Sequence, residues 1–163
     1  MTTVNNVTRF LDSRKVSYEI FEFPAEKLSA LDVAHLLDVE PDSVFKTIVV
    51  TRSKPPLASK GKKTLLAVVP GPATVDLKLL ASAIGEKKVY LPTEREAEQL
   101  TALQAGGISP LALINKGFSV IIDSSAKNFS EIYISGGQRG LNIKLSVDDL
   151  AQLTNAQFAS VCT

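Results

Sequence analysis

Gly106-Gly107-Ile108-Ser109-Pro110 is a two-glycine turn that ends on a proline between two apolar segments, and the rest of the chain is read outward from it. Adjacent glycines take backbone angles denied to other residues, so their N–H groups can converge on one point. The proline, which has no N–H, fixes the exit. Such a turn can cradle a carbonyl or phosphate oxygen. A purely structural turn would use the same residues, and both readings stay open from this segment alone.

Upstream, Phe45-Lys46-Thr47-Ile48-Val49-Val50 reads as a strand, β-branched and apolar apart from one lysine near its start. A buried ammonium is costly unless it is paired or used. Lys46 is therefore either a functional group or a strand-end residue that snorkels into water. Downstream, Ile132 to Leu145 reads as two strands around the connection Gly136-Gly137-Gln138-Arg139-Gly140, with Ser135, Arg139 and Asn142 as polar neighbours. Glycines there let backbone approach a ligand, or simply close a hairpin.

The intervening sequence is compatible with one mixed fold. Val4, Val7, Phe10 and Leu11 recur at helical spacing, and a strand near Tyr18–Phe21 follows. Ser29 caps a short helix to about Val39, Asp76 begins another that Gly85 ends, and Thr93-Glu94-Arg95-Glu96 matches a capping box. Strands are expected at 64–69, 88–91 and 118–122, and Ser146 caps a last helix. Strands and helices mix without regular βαβ alternation, no repeat appears, and no nucleotide-binding glycine fingerprint follows the first strand, so the class is α+β.

Composition narrows the function. The chain has 163 residues, 45% of them apolar, which suits one domain with a sizeable core. Eighteen Lys and Arg stand against 17 Asp and Glu, so no global field draws it to nucleic acid or lipid. A local patch is the exception: Arg52, Lys54, Lys60, Lys62 and Lys63 fall in one Pro- and Gly-broken loop without an acid, either a phosphate-contacting arm or a solvated connection. One histidine and one cysteine argue against a zinc hydrolase. His35 reads as a helix-surface residue and Cys162 as an inert tail thiol, and no leader or membrane-spanning run is seen, which points to a soluble cytoplasmic protein.

Taken in order, these segments resemble the YbaK/EbsC family of prolyl-tRNA synthetase-associated editing domains, and within it the Cys-tRNA(Pro) deacylases. The resemblance runs through Phe45-Lys46-Thr47, Val69-Pro70-Gly71 with Asp76-Leu77-Lys78, and Gly85-Glu86-Lys87-Lys88-Val89. It continues through Gly106 to Leu111, Ile121-Ile122-Asp123, and Ile132 to Leu141. It implies a single α+β domain over residues 1–163 with a curved, barrel-like mixed β-sheet flanked by helices.

The resemblance further implies trans-editing: hydrolysis of the ester joining a mischarged amino acid to the 3′ end of tRNA(Pro), beside a transiently bound prolyl-tRNA synthetase, with no cofactor, metal or membrane. An aminoacyl ester is already activated, so the site has mainly to hold the carbonyl near a nucleophile and stabilise the oxyanion. In this branch the substrate's own thiol attacks its carbonyl, and Lys46 positions the ester. Thr47 sits beside it, Gly106, Gly107, Ile108, Ser109 and Pro110 form one wall, and Ser135, Gly136 and Gly137 another. Relatives can carry a tyrosine and an aspartate where this chain has Phe23 and Asn142, which leaves the choice among cysteine, alanine and other small residues open. Arg139 joins the basic loop as a candidate tRNA contact. The other class compatible with these residues is a non-catalytic binder of tRNA ends or nucleotides using the same pocket.

Overall fold

The computed structural model describes residues 4–54 and 63–163. Local sequence fixes the helices. In α1 (Asn6–Ser13), Asn5 and Thr8 cap each other reciprocally, and Val7 and Leu11, one turn apart, are buried. Helix α2 (Ala30–Leu37) starts on a Ser29–Asp32 capping box, α3 (Leu77–Ala83) on Asp76, and α4 (Glu94–Thr101) on a Thr93–Glu96 box. Helix α5 (Val147–Thr154) begins where the Ser146 hydroxyl accepts from the Asp149 N–H.

The strands are β1 (Tyr18–Glu22), β2 (Phe45–Val50), β3 (Thr64–Pro70), β4 (Phe118–Asp123), β5 (Glu131–Ser135), β6 (Leu141–Ser146) and β7 (Gln157–Ala159). They form two sheets. One is antiparallel, in the order β1-β6-β5; the other runs β2-β3-β4-β7, with β2 antiparallel to β3 and the remaining pairs parallel. From Leu65 to Val69 every residue of β3 is 0% exposed, because its alternate side chains enter two different cores. Leu66 and Val68 join Phe45, Val49, Ile122, Ile134 and Ile143 in the layer shared with α1, α5 and the other sheet. Leu65, Ala67 and Val69 face Leu80 and Ala81 of α3.

The α+β class and the mixed sheet flanked by helices match the sequence reading, but the barrel-like closure does not. A barrel requires hydrogen bonding to run unbroken around the ring. Among the described residues each sheet is open, and the pairing between them is limited to an isolated parallel bridge from Val44 to Tyr133. The expected strand at 88–91 reduces to one antiparallel bridge, Tyr90 to Thr51. Among the described residues no helix is long and apolar enough to cross a membrane.

The end of the chain is docked rather than free. The Asp123 carboxylate, 5% exposed, accepts from the Val161 N–H at 3.0 Å and from both the N–H and hydroxyl of Ser125. Thr74 and Thr163 exchange both main-chain bonds. Cys162, expected as a tail thiol, is half-buried; burial first, then its hydrogen bond to Asp123, pushes it up to about 12, so it stays protonated. Burial would raise the Asp123 carboxyl, yet its donors together hold it below the usual range. A depressed carboxylate gives stability that is present above its unfolded pKa and lost as pH falls through the folded one. Asp123→Ala should therefore lower stability by about 2 kcal/mol at neutral pH, since buried N–H groups lose their acceptor. Denaturant unfolding at neutral and acid pH checks this: the gap between variant and wild type should narrow on acidification.

Candidate active site

A cavity of about 490 Å³ opens between the start of α2, strand β2, the start of α4, the glycine turn and the ends of β5 and β6. Its lining includes Val44 through Val49 in unbroken succession. Residues of both strand faces can line one cavity only where the strand edge itself is open, and β2 is the terminal strand of its sheet. Apolar Val33, Leu91, Pro92 and Ala97 form much of the wall, and an exposed Lys27–Glu94 ion pair at 2.7 Å ties the segment before α2 to α4.

Of the residues expected in the site, the structure brings Lys46, Thr47, Gly106, Ile108, Ser135 and Asn142 together on this lining. They come from three distant segments. Ser135 and Asn142 are opposite one another in the β5–β6 register. Asn142 is 8% exposed, and its carboxamide makes no hydrogen bond among the described residues, so its donors and acceptor are available to a ligand. The Ser135 hydroxyl accepts from the Gly137 N–H at 3.2 Å.

Lys46 is placed differently from its simplest reading. Strand alternation puts it on the face of Ile48 and Val50, opposite Phe45 and Thr47, and its Nζ donates to the Gly71 carbonyl at 3.0 Å. Burial holds its pKa below the ordinary lysine range, with Cys162 nearby acting in the other direction. No carboxylate pairs with it among the described residues. Gly71 was not singled out in the sequence as a partner, because its proximity depends on the β2–β3 pairing and on its own N–H bond to Val44.

The glycine turn divides in two. Gly106, at φ +88°, is exposed and lines the cavity. The Gly107 N–H, expected as a ligand donor, instead reaches the Gln104 carbonyl at 2.8 Å. Ser109 is fully buried, its hydroxyl accepting from the Leu111 N–H, and Pro110 opens a single 3-10 turn behind the wall. Gly136 and Gly137 pack against Leu141 and Val7 off the cavity, and Phe23 packs with Val33, Ala34 and Val44. Arg139 donates through Nε to the Ala105 carbonyl at 2.7 Å and so braces the turn.

In the basic loop, Arg52 is bound inward to Glu86 at 2.9 Å and to the Lys63 carbonyl at 2.7 Å. Lys54 and Lys63 are exposed, and Lys60 and Lys62 lie outside the described residues. His35 sits exposed on α2, as its position in the sequence indicates.

Residues 25–153 match the family model of the aminoacyl-tRNA editing domain. EbsC of Enterococcus faecalis, named as an inferred Cys-tRNA(Pro)/Cys-tRNA(Cys) deacylase, is 36% identical over 162 residues, covering 97% of this chain and 93% of that protein. The crystal structure of a hypothetical protein superimposes with a TM-score of 0.85 at 21% identity, covering 98% of this chain and all of that one. Another, described as an inferred trans-editing enzyme for prolyl-tRNA synthetase, gives 0.78 at 21% identity over 99% of both chains. The structural likenesses speak to the fold, and the sequence matches speak to kinship. The chain belongs to the aminoacyl-tRNA editing-domain family, in its YbaK/EbsC branch.

Proposed function

We propose that this domain removes cysteine from mischarged Cys-tRNA(Pro), acting in trans beside prolyl-tRNA synthetase. The protein is an aminoacyl-tRNA deacylase, an ester hydrolase of translation fidelity. The observation that carries the substrate reading is the convergence of Thr47, Gly106, Ser135 and an unpartnered Asn142 on one cavity beside Lys46. Its lining sets polar and charged groups in a mostly apolar wall, which suits a small amino acid held by its ester and amine.

In this reading the substrate's thiol loses its proton and attacks its own ester carbonyl. A carbon–sulfur bond forms as the bond to the ribose oxygen breaks, that oxygen takes up the proton the thiol gave up, and water then opens the resulting cyclic thioester to free cysteine. The ammonium of Lys46 stabilises charge as it develops on the carbonyl oxygen, exchanging the Gly71 carbonyl for the ester. Asn142 accepts from the amino group. Selection for a small side chain falls to the wall between the glycine turn and Asn142.

The test is hydrolysis of a panel of tRNA(Pro) species charged with cysteine, alanine or proline. Cysteine should be released fastest and proline left in place; indifference among the three would reject the assignment. The basic loop is the proposed tRNA arm, and Arg52 contributes to it least because it is bound to Glu86. Replacing Lys60, Lys62 and Lys63 with alanine should weaken tRNA binding and lower the slope of log affinity against log salt by about 2 to 3. Amino-acid choice should not change. Overlapping salt series for variant and wild type would make the loop a solvated connection.

A further inference from the structure

We propose that the open edge of β2 reads the terminal adenine of the tRNA, the Thr47 carbonyl accepting from the N6 amino group and the Val49 N–H donating to N1. The proposal deepens the deacylase reading and rests on it for the identity of the ligand.

In an antiparallel strand each residue turns its N–H and C=O to one side, and successive residues alternate. Two contacts fix the phase of β2. Thr51 exchanges both bonds with Tyr90, at 2.8 and 2.9 Å, on the side away from β3, whereas the Val44 carbonyl accepts from Gly71 on the β3 side. Val49 and Thr47 therefore point their N–H and C=O groups outward, like Thr51. Among the described residues no strand pairs with β2 on that side between the Val44–Tyr133 and Thr51–Tyr90 bridges. Both residues line the cavity.

Main-chain groups facing a partly apolar cavity call for partners. The two bridges close the open edge at both ends, leaving a gap too short for an added strand. It suits a compact ligand with one donor beside one acceptor. The nearby Val44–Tyr133 bridge is parallel, and a parallel bridge engages a carbonyl and the N–H two residues on along one edge. Along the open edge that spacing recurs at Phe45 C=O with Thr47 N–H and again at Thr47 C=O with Val49 N–H, the pair beside the Thr51–Tyr90 bridge. The Watson–Crick edge of adenine carries a donor, N6–H, beside an acceptor, N1, and a base is commonly read through that edge. Leu91, Pro92 and Ala97 supply apolar wall for the purine, while Gly106 and Asn142 remain for the aminoacyl end.

The experiment uses the full chain and a ligand that resists ester hydrolysis, 3′-cysteinylamino-3′-deoxyadenosine, compared with its purine riboside and inosine counterparts. Purine riboside lacks the amino donor. Inosine replaces it with an acceptor and makes N1 a donor, so both contacts are mismatched. By calorimetry the purine riboside should bind about tenfold and the inosine compound about a hundredfold more weakly. In nitrogen-15 NMR the Val49 amide should shift on binding the adenosine and purine riboside compounds, which keep N1 as an acceptor, and not with the inosine compound.

Val49→Pro removes one outward N–H and leaves the ladder to β3 untouched. It should weaken binding of the adenosine compound, keep the loss of about tenfold on removing the amino group, which the Thr47 carbonyl still reads, and shrink the inosine penalty to about tenfold. Should that variant fail to fold, the analogue series on the wild type decides. Equal affinity for the three compounds, or no binding of any, overturns the proposal. Cys-tRNA(Pro) hydrolysis is assayed in parallel. Hydrolysis without base discrimination rejects the adenine site and keeps the deacylase; discrimination without hydrolysis does the reverse.

Discussion

Replacing Lys46 with alanine should reduce Cys-tRNA(Pro) hydrolysis by about a hundredfold or more while leaving the thermal midpoint within a few degrees of wild type. The two effects separate because they have different origins. Among the described residues the resting ammonium makes one hydrogen bond, to the Gly71 carbonyl, and burial lowers its pKa. One such bond contributes about 1 kcal/mol, and relief from desolvation offsets part of its loss. In the transition state the same group meets a developing negative charge, where a positioned donor is worth about 3 to 4 kcal/mol. The pH dependence follows from the same shift. With its folded pKa below the unfolded value, the lysine loses its proton at a lower pH in the native state, so stability rises with pH through that window. Activity that needs the ammonium should fall over the same window, below the titration of an ordinary lysine at about 10.4. The alkaline limb of the single-turnover rate measures this. A Lys46→Ala enzyme with wild-type turnover would remove the ammonium from the mechanism.

What the sequence made legible is what local chemistry decides. Ser29 with Asp32 and Thr93 with Glu96 start their helices through bonds three residues apart, and the apolar run of β3 announces burial on two faces. Strand β7 went unread because Gln157-Phe158-Ala159 has no pattern of its own and becomes a strand only by parallel pairing with β4. Sheet closure failed for the same reason: partners across a sheet are chosen by tertiary packing, which no segment announces. In the candidate site, glycine punctuation pointed to Gly106 and Ser135, which line the cavity. It also drew in Gly136, Gly137 and Ser109, which pack behind the wall. Glycines that admit a ligand and glycines that admit a neighbouring chain look alike in sequence. The direction of Lys46, the Gly71 carbonyl it reaches and the Asp123–Cys162 contact all depend on long-range placement.

Gly107→Val should destabilise the protein by about 3 kcal/mol and cut deacylation about a hundredfold, although Gly107 itself is off the cavity wall. The cause is space rather than backbone angle, since this glycine is not among those with positive φ. A Cβ here would lie 2.9 Å from both the carbonyl carbon and the Cα of Gln138, and 3.0 Å from the Arg139 nitrogen. Those are main-chain atoms, which cannot swing aside like the end of a side chain. The turn and the β5–β6 connection would have to separate, straining the Gly107–Gln104 bond at 2.8 Å and the Arg139–Ala105 bond at 2.7 Å. Gly106 on one partner and Ser135 with Asn142 on the other would then move apart, opening the cavity where the aminoacyl group is held. A displacement of about 1 Å at that point is enough for the predicted loss of rate. Gly107→Ala introduces the same Cβ and should act in the same direction with a smaller effect. Thermal unfolding and single-turnover hydrolysis of both variants decide the matter: a stable, fully active valine enzyme would mean that the two segments can part without disturbing the site.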